Sequence, residues 1–279
     1  MTRRRTLEQH LHSLTEIRGI MNSMKTLAYL ETRKLARFLD AQQAVVSSIE
    51  AAAADLLGFH PDILPEAPAA TPVFLLIGTD RGFCGDFNHA LLRHLESTRQ
   101  PGSPGDPSVI AIGRKLHTLL ERDARVAALV DGATVVEEIT AVLNRLADEI
   151  LTLQHRYEAL EVFCIYHGNE DKIVMQRLLP PFAGLAQRAQ SFPYPPLLNL
   201  SPAALLAALT DQYLFAALHA MLYTSLMMEN HHRITHLEGA VKHLDDQAEE
   251  LARQGNTLRQ EEIIEEIEVI LLSAAGVGE

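Results

Sequence analysis

Between residues 7 and 49 apolar side chains return every third, fourth or seventh position, at Leu7, Leu11, Leu14, Met21, Met24, Ala28, Leu35, Phe38, Val45 and Ile49, with only Gln42 breaking the row. This is the spacing of a narrow helical seam. It predicts a helix from about Thr6 to Leu57, on the order of 75 Å long at 1.5 Å per residue, which is longer than a globular domain needs and requires a partner along its length. The other end of the chain offers one. Ile234, Leu237, Val241, Leu244, Ala248, Leu251, Gly255 and Leu258 keep a near-heptad rhythm, and Ile263, Ile267, Ile270 and Ala274 carry an apolar face onward. Two such seams in one chain predict an intramolecular antiparallel coiled coil. A bundle that buries the seams against a second copy has the same periodicity.

The middle of the chain has a different pattern. Val73 to Ile77, Val109 to Ile112 and Glu161 to Tyr166 are short apolar runs ended by Gly or His-Gly, as expected of buried strands. The first two lead into helical patterns, Ile139 to Tyr157 reads as a helix feeding the third, and Ile173 to Leu179 reads as an edge strand stopped by Pro180-Pro181. Pro101 to Pro107 is a turn-rich connecting loop. Ser201 is placed to cap a helix with Pro202 at its first position. All 13 prolines fall between Pro61 and Pro202. The expected organisation is therefore a coiled-coil helix over 1–57, an α/β domain over 58–202 and a second coiled-coil helix over 203–279. In fold class it is α/β, with a Rossmann-like domain inserted between two long helices.

Charge narrows the function. With 24 Lys+Arg against 36 Asp+Glu the formal charge is −12, which argues against a nucleic-acid or other polyanion binder. The two helical segments are oppositely biased, with eight basic and six acidic side chains in 1–57 against four and 13 in 203–279. No stretch approaches 18 consecutive apolar residues, and the Arg3-Arg4-Arg5 start leads into an amphipathic pattern, so neither membrane insertion nor a signal segment is expected. Two cysteines, Cys84 and Cys164, point to a reducing compartment.

Candidate chemistry centres on Gly78 to Gly85, between a strand and a helix, where backbone N–H groups could cradle an anion and a thiolate at Cys84 would gain from the helix dipole. The segment lacks the Lys-Ser/Thr ending of a phosphate loop and the dinucleotide glycine spacing, and Asp80 and Asp86 add negative charge where a phosphate would sit. A structural strand-to-helix turn fits better, with Cys84 a small packed side chain. His232 and His236 share a helical face, but two imidazoles make an incomplete metal site, and Glu261 to Glu268 has the spacing of a solvated helix face. No metal and no cofactor are expected.

Taken in order, these three parts resemble the gamma subunit of F-type ATP synthases. The family's motif Ser-Asp-Arg-Gly-Leu-Cys-Gly-Gly-Leu-Asn appears as Thr79-Asp80-Arg81-Gly82-Phe83-Cys84-Gly85-Asp86-Phe87-Asn88, the most specific signal in the chain. Leu178-Leu179-Pro180 resembles a later Leu-Leu-Pro, Glu229 to Arg233 a Glu-x-x-x-Arg-Met, and Arg259-Gln260 through Glu266 the terminal Arg-Gln pattern. In the first helix Leu11 to Leu14, Gly19-Ile20-Met21 and Ser23-Met24 follow the family pattern loosely. Asp86 in place of glycine, Ile264 of threonine and Glu31 of a basic residue mark a divergent member, similar to the alternate, sodium-associated branch.

The resemblance implies a non-catalytic central rotor stalk. The paired helices would turn inside a hexamer of alpha and beta subunits, and the α/β domain would form a foot on the membrane c-ring with epsilon. Arg259 and Gln260 match the family's contact with the catalytic beta subunit, and Met24 a methionine near that contact. Asp80, Arg81, Gly82, Cys84, Gly85 and Asn88 make the foot-domain motif, and Glu229 and Arg233 the C-terminal helix motif. The implied location is peripheral, at the cytoplasmic face of a bacterial inner membrane. Two alternatives follow from the residues themselves: a small α/β enzyme with an anion site at Thr79 to Asn88, or a homodimeric coiled-coil scaffold.

Overall fold

A computed structural model describes residues 3–64, 70–98, 108–157, 159–185 and 192–275. Its elements in order are α1 (Arg3–Phe59), β1 (Thr71–Ile77), α2 (Phe87–Thr98), β2 (Ser108–Ile112), α3 (Arg114–Leu120), β3 (Val126–Val130), α4 (Ile139–Arg156), β4 (Leu160–His167), β5 (Ile173–Leu179) and α5 (Pro202–Ala275). The chain divides into two compact units, one of Met1–Ala28 with Ile234–Glu279 and one of Tyr29–Arg233. The loop Pro101 to Pro107 lies outside the described residues, as do the side chains of the tail from Ser273 to Val277.

In the larger unit the strands form one sheet in the order β3-β2-β1-β4-β5. The first four are parallel, and β5 runs antiparallel to β4. β1 is central, with Leu75 opposite Ile110 on one side and Cys164 on the other. Its alternate residues separate the core into two layers, because successive side chains leave opposite faces of a strand. Phe74 and Leu76 pack with Phe87, Leu91 and Leu95 of α2 and Leu116 and Leu120 of α3. Val73, Leu75 and Ile77 pack with Ile139, Val142, Leu143 and Leu146 of α4, with Leu35, Ala53, Leu56 and Leu57 of α1, and with Tyr213, Met221 and Leu222 of α5. Right-handed crossovers account for this, since the chain steps from β1 to β2 to β3 in one direction and returns past β1 to β4 in the other.

Strand β3 has no counterpart among the expected elements. It is a short edge strand whose burial alternates, with only Val130 fully buried, and Ala127-Ala128 supply little β signal. The expected edge strand at Ile173 to Leu179 is present as β5. Helix α5 begins at Pro202, and Ser201 Oγ accepts the Ala204 N–H at 3.3 Å as the expected N-cap.

In the smaller unit α1 and α5 run antiparallel. Arg4 pairs with Glu262, Leu7 lies against Gly255, Arg18 pairs with Asp245 and Lys25 with Glu238, one number falling as the other rises. The cations come from α1 and the carboxylates from α5, in line with the opposite charge bias of the two segments. Burial is strongest near Ala28, Leu237 and Val241. One stretch of α5 is long and apolar enough, by length and composition, to cross a membrane, and 44% of that window is buried within the protein. The apolar excess arises because residues 213–226 of α5 face the α/β core on more than one side.

Candidate functional site

The turn after β1 and the middle of α5 carry the two most specific sequence motifs, and the fold brings them together. Asp80 is buried, and its carboxylate accepts the backbone N–H of Arg114 at 3.2 Å and of Gly132 at 3.1 Å, together with the Arg114 guanidinium, whose Nε lies at 2.9 Å. One side chain thus ties the loops that follow β1, β2 and β3. Burial by itself would push the Asp80 carboxyl up, but the Arg114 bonds outweigh it and hold the group below the usual carboxylate range. Asn88 closes the turn from α2, accepting the Thr79 N–H at 3.0 Å and donating to Thr79 Oγ1 at 2.9 Å. Gly113 stands at φ +106°, and a Cβ there would lie 2.6 Å from the Thr79 carbonyl oxygen, so the loops approach too closely for any side chain.

Helix α5 reaches into the same turn. Ser225 Oγ donates to the carbonyl of Ile77, the last residue of β1, at 3.3 Å. Arg233 donates Nε to Gly82 O and Nη2 to Cys84 Sγ, both at 3.3 Å, Nη1 to Asn230 Oδ1 at 2.8 Å, and closes an ion pair with Glu229. Glu229 also accepts the Arg81 backbone N–H. Complete burial raises the Glu229 carboxyl to about 7 against the opposing pull of Arg233. The Cys84 thiol is pushed up to about 12, by burial first and by the Glu229 charge second, with Arg233 opposing both. A thiolate is therefore disfavoured, and Cys84 is the packed side chain expected of it, donating to Gly82 O at 3.4 Å and accepting Arg233. Cys164 is fully buried, and desolvation raises its thiol further.

Topology explains why this is not a ligand crevice. In open α/β sheets ligands bind beyond the carboxyl ends of the strands where the strand order reverses, which in this sheet is between β1 and β4. Here α5 fills that place. Ser225 and Arg233 meet the end of β1 and its turn, and His232 packs edge-on against His167 at the end of β4 and against Phe87, with ring centroids 5.4 Å apart in both cases. His232 is thus an aromatic packing residue. Among the described residues no group of three or more His, Cys, Asp or Glu side chains is placed to hold a metal ion.

Of the residues singled out from sequence, Asp80, Arg81, Gly82, Cys84, Asn88, Glu229 and Arg233 form this one cluster, and Gly85 adopts φ 59° within its turn. Arg81 extends outward to Thr134 Oγ1 at 3.2 Å. Arg259, Gln260 and Met24 lie in the smaller unit. Arg259 and Gln260 are exposed, Met24 is half-buried, and Glu262, one helical turn from Arg259, is engaged by Arg4. Lys25, beside Met24, pairs with Glu238, whereas Arg4 pairs with Glu262, so the two positions are separated by about 20 residues, roughly 30 Å along the helices. Arg114, Gly132, Ser225 and Asn230 were not anticipated; the first three act through residues 34 to 148 positions away and carry no local signal, while Asn230 lies three residues from Arg233 on the same helix.

Two departures from the family motif also find roles. Asp86 pairs with Arg93 one helical face along α2. Glu31 accepts Lys34 Nζ at 2.9 Å and the Val136 N–H at 3.4 Å.

The fold is an α/β sheet whose switch-point crevice is occupied by its own long C-terminal helix. A family profile described as ATP synthase matches residues 3–277, and curated relatives carry the name ATP synthase gamma chain. The chain belongs to the ATP synthase gamma family. It is 25% identical to the protein of Heliobacterium modesticaldum over 98% of this chain and 99% of that one, and 21% identical to that of Caldanaerobacter subterraneus subsp. tengcongensis over the same shares. Its fold is similar to a chain of the Euglena gracilis mitochondrial ATP synthase in its OSCP/F1/c-ring assembly, with TM-score 0.65 and 15% identity over 98% of this chain and 94% of that one. It is also similar to a chain of the Tetrahymena thermophila central stalk and c-ring assembly, with TM-score 0.56 and 16% identity over 79% and 99%.

Proposed function

We propose that this chain is the central rotor stalk of a rotary ATP synthase, coupling ion-driven rotation to nucleotide-state changes in the catalytic beta subunits. The observation that carries the reading is the plugged crevice together with the antiparallel pairing of α1 and α5. A chain with no open site at the switch point acts by presenting surfaces. An asymmetric shaft turned within a ring of equivalent subunits gives each a different contact, and differential contact is what shifts a conformational equilibrium. Two helices joined along a seam suit that task, since a single helix twists more readily than a pair.

In this reading the partners are the alpha and beta subunits of a catalytic hexamer around the paired helices, and epsilon and the membrane c-ring at the α/β foot. The protein is peripheral, at the cytoplasmic face of a bacterial inner membrane. We take residues 1–57 and 203–279 as the shaft and 58–202 as the foot. Arg259 and Gln260 contact beta, an assignment supported by their exposure and by the engagement of neighbouring Glu262 elsewhere. Met24 makes a separate contact further along the shaft. The test is whether the chain co-purifies with a nucleotide-binding hexamer and raises its multi-site ATPase activity. Nucleotide binding by the isolated chain would instead favour an enzyme, and a stable dimer indifferent to ATPase subunits a scaffold.

A further inference from the structure

The foot holds its two helices by different kinds of contact. Helix α1 is held mainly by apolar burial of Leu35, Val46, Ala53, Leu56 and Leu57. Among the described residues its polar ties to the foot include the half-exposed pair of Lys34 with Glu137 at 3.3 Å and the 3.4 Å bond from the Val136 N–H to Glu31. Helix α5 has apolar burial too, and adds a directional set inside the core. Ser225, Glu229, Asn230 and Arg233 are all buried; over two helical turns Ser225, Glu229 and Arg233 bond to Ile77 O, the Arg81 N–H, Gly82 O and Cys84 Sγ, while Asn230 accepts Arg233 from within the helix. Packed apolar side chains resist rotation through their shape alone, whereas hydrogen bonds also weaken steeply when donor and acceptor turn out of line. Helix α5 has both kinds of resistance to rotation about its own axis.

The turn that α5 grips is itself braced. Phe83 sits at φ 64°, a strained position for a bulky residue, and Arg233 bonds to the residues on either side of it. Behind it, Asp80 joins the turn to the loops after β2 and β3. A twist applied at α5 is therefore carried into the ends of three parallel strands.

We infer that Arg233, held by Glu229, is the positioning residue through which the foot transmits torque, and that α5 is the driven helix while α1 follows it. This rests on the central-stalk reading. Arg233→Lys keeps the charge but loses the planar fork that reaches Glu229, Asn230, Gly82 and Cys84 together.

The assembled complex, reconstituted in vesicles, tests it with two readouts: the membrane potential built per ATP hydrolysed, reported by a potential-sensitive dye, and the stimulation of hydrolysis by an uncoupler. In Arg233→Lys the potential per ATP should fall at least about twofold, with weakened uncoupler stimulation, because a slipping joint fails under load. Lys34→Ala, which loosens the polar tie of α1, should leave both readouts unchanged. An unchanged potential per ATP in Arg233→Lys, or an equal fall in Lys34→Ala, overturns the inference. If Arg233→Lys does not assemble, Ser225→Ala, which removes one bond of the set, decides it: a potential per ATP equal to wild type rejects the inference, and a reduced one supports it. Failure of the wild-type complex to build any ATP-driven potential would reject the central-stalk reading instead.

Discussion

Replacing Asp80 by alanine removes the acceptor that joins three loops, and its effect follows from the bonds it makes. The side chain is 1% exposed and serves two backbone N–H groups, of Arg114 and Gly132, besides the Arg114 guanidinium. Each buried N–H left without an acceptor costs about 1–3 kcal/mol. Arg114 is 64% exposed, so its guanidinium returns to water and adds little. Gly132 is half-buried, and water partly replaces its acceptor, which places the total near the lower part of the range, about 2–4 kcal/mol. Asp80→Asn keeps an acceptor oxygen and loses only the charge, and should cost about 1–2 kcal/mol. Urea unfolding of the purified chain, followed by circular dichroism, measures both. A loss below about 1 kcal/mol for Asp80→Ala, or equal losses for the two variants, would refute the role of the carboxylate as an acceptor for those N–H groups. The pH dependence adds an independent check. Because the folded-state carboxyl titrates below its unfolded value, its contribution is complete above about pH 4 and is lost as the pH falls through the lower folded value. The wild type should therefore keep its lead over Asp80→Asn at neutral pH and lose it only in acid.

Three further outcomes are expected. Arg259→Ala should slow steady-state turnover of the assembled complex severalfold while leaving the helix content of the isolated subunit unchanged; wild-type turnover and coupling would make Arg259 a surface residue only. Cys84, with its thiol pushed up to about 12, and Cys164, higher still, should react with a maleimide or an aromatic disulfide at pH 8 far more slowly than a free thiol, and at the free-thiol rate once the chain is unfolded in urea. Fast labelling of the folded chain would show that the turn is open. Cysteines introduced in place of Arg18 and Asp245, whose side chains meet in the antiparallel pair, should crosslink within one chain, and crosslinking only between chains would support the scaffold.

Much of the fold is legible along the sequence because it depends on local periodicity. The seams that begin at Leu7 and Ile234, the buried runs at Val73, Val109 and Glu161, and the cap at Ser201 each follow from spacing or from one residue's backbone preference. β3 escaped because its residues alternate between solvent and core and its strand character comes from pairing with β2. The candidate site was legible only as two separate motifs. Asp80, Arg81, Gly82 and Cys84 stood out as a strand-to-helix turn, and Glu229 with Arg233 as the family's Glu-x-x-x-Arg pattern.

The sequence by itself determined the long helices and every strand but β3, the opposite charge of the two long helices, and the unsuitability of the glycine-rich turn for a phosphate. Tertiary structure alone decided what that turn is for. Residues 148 to 151 positions apart meet because β1 is the central strand and α5 crosses its carboxyl end, filling the place where a sheet of this order would otherwise take a ligand. Whether a carboxylate accepts a ligand's protons or the protein's own N–H groups depends on which donors lie within about 3 Å of it. For Asp80 those donors come from loops 34 and 52 residues further along the chain, so the use of its charge is set by the packing of the sheet rather than by the motif that contains it.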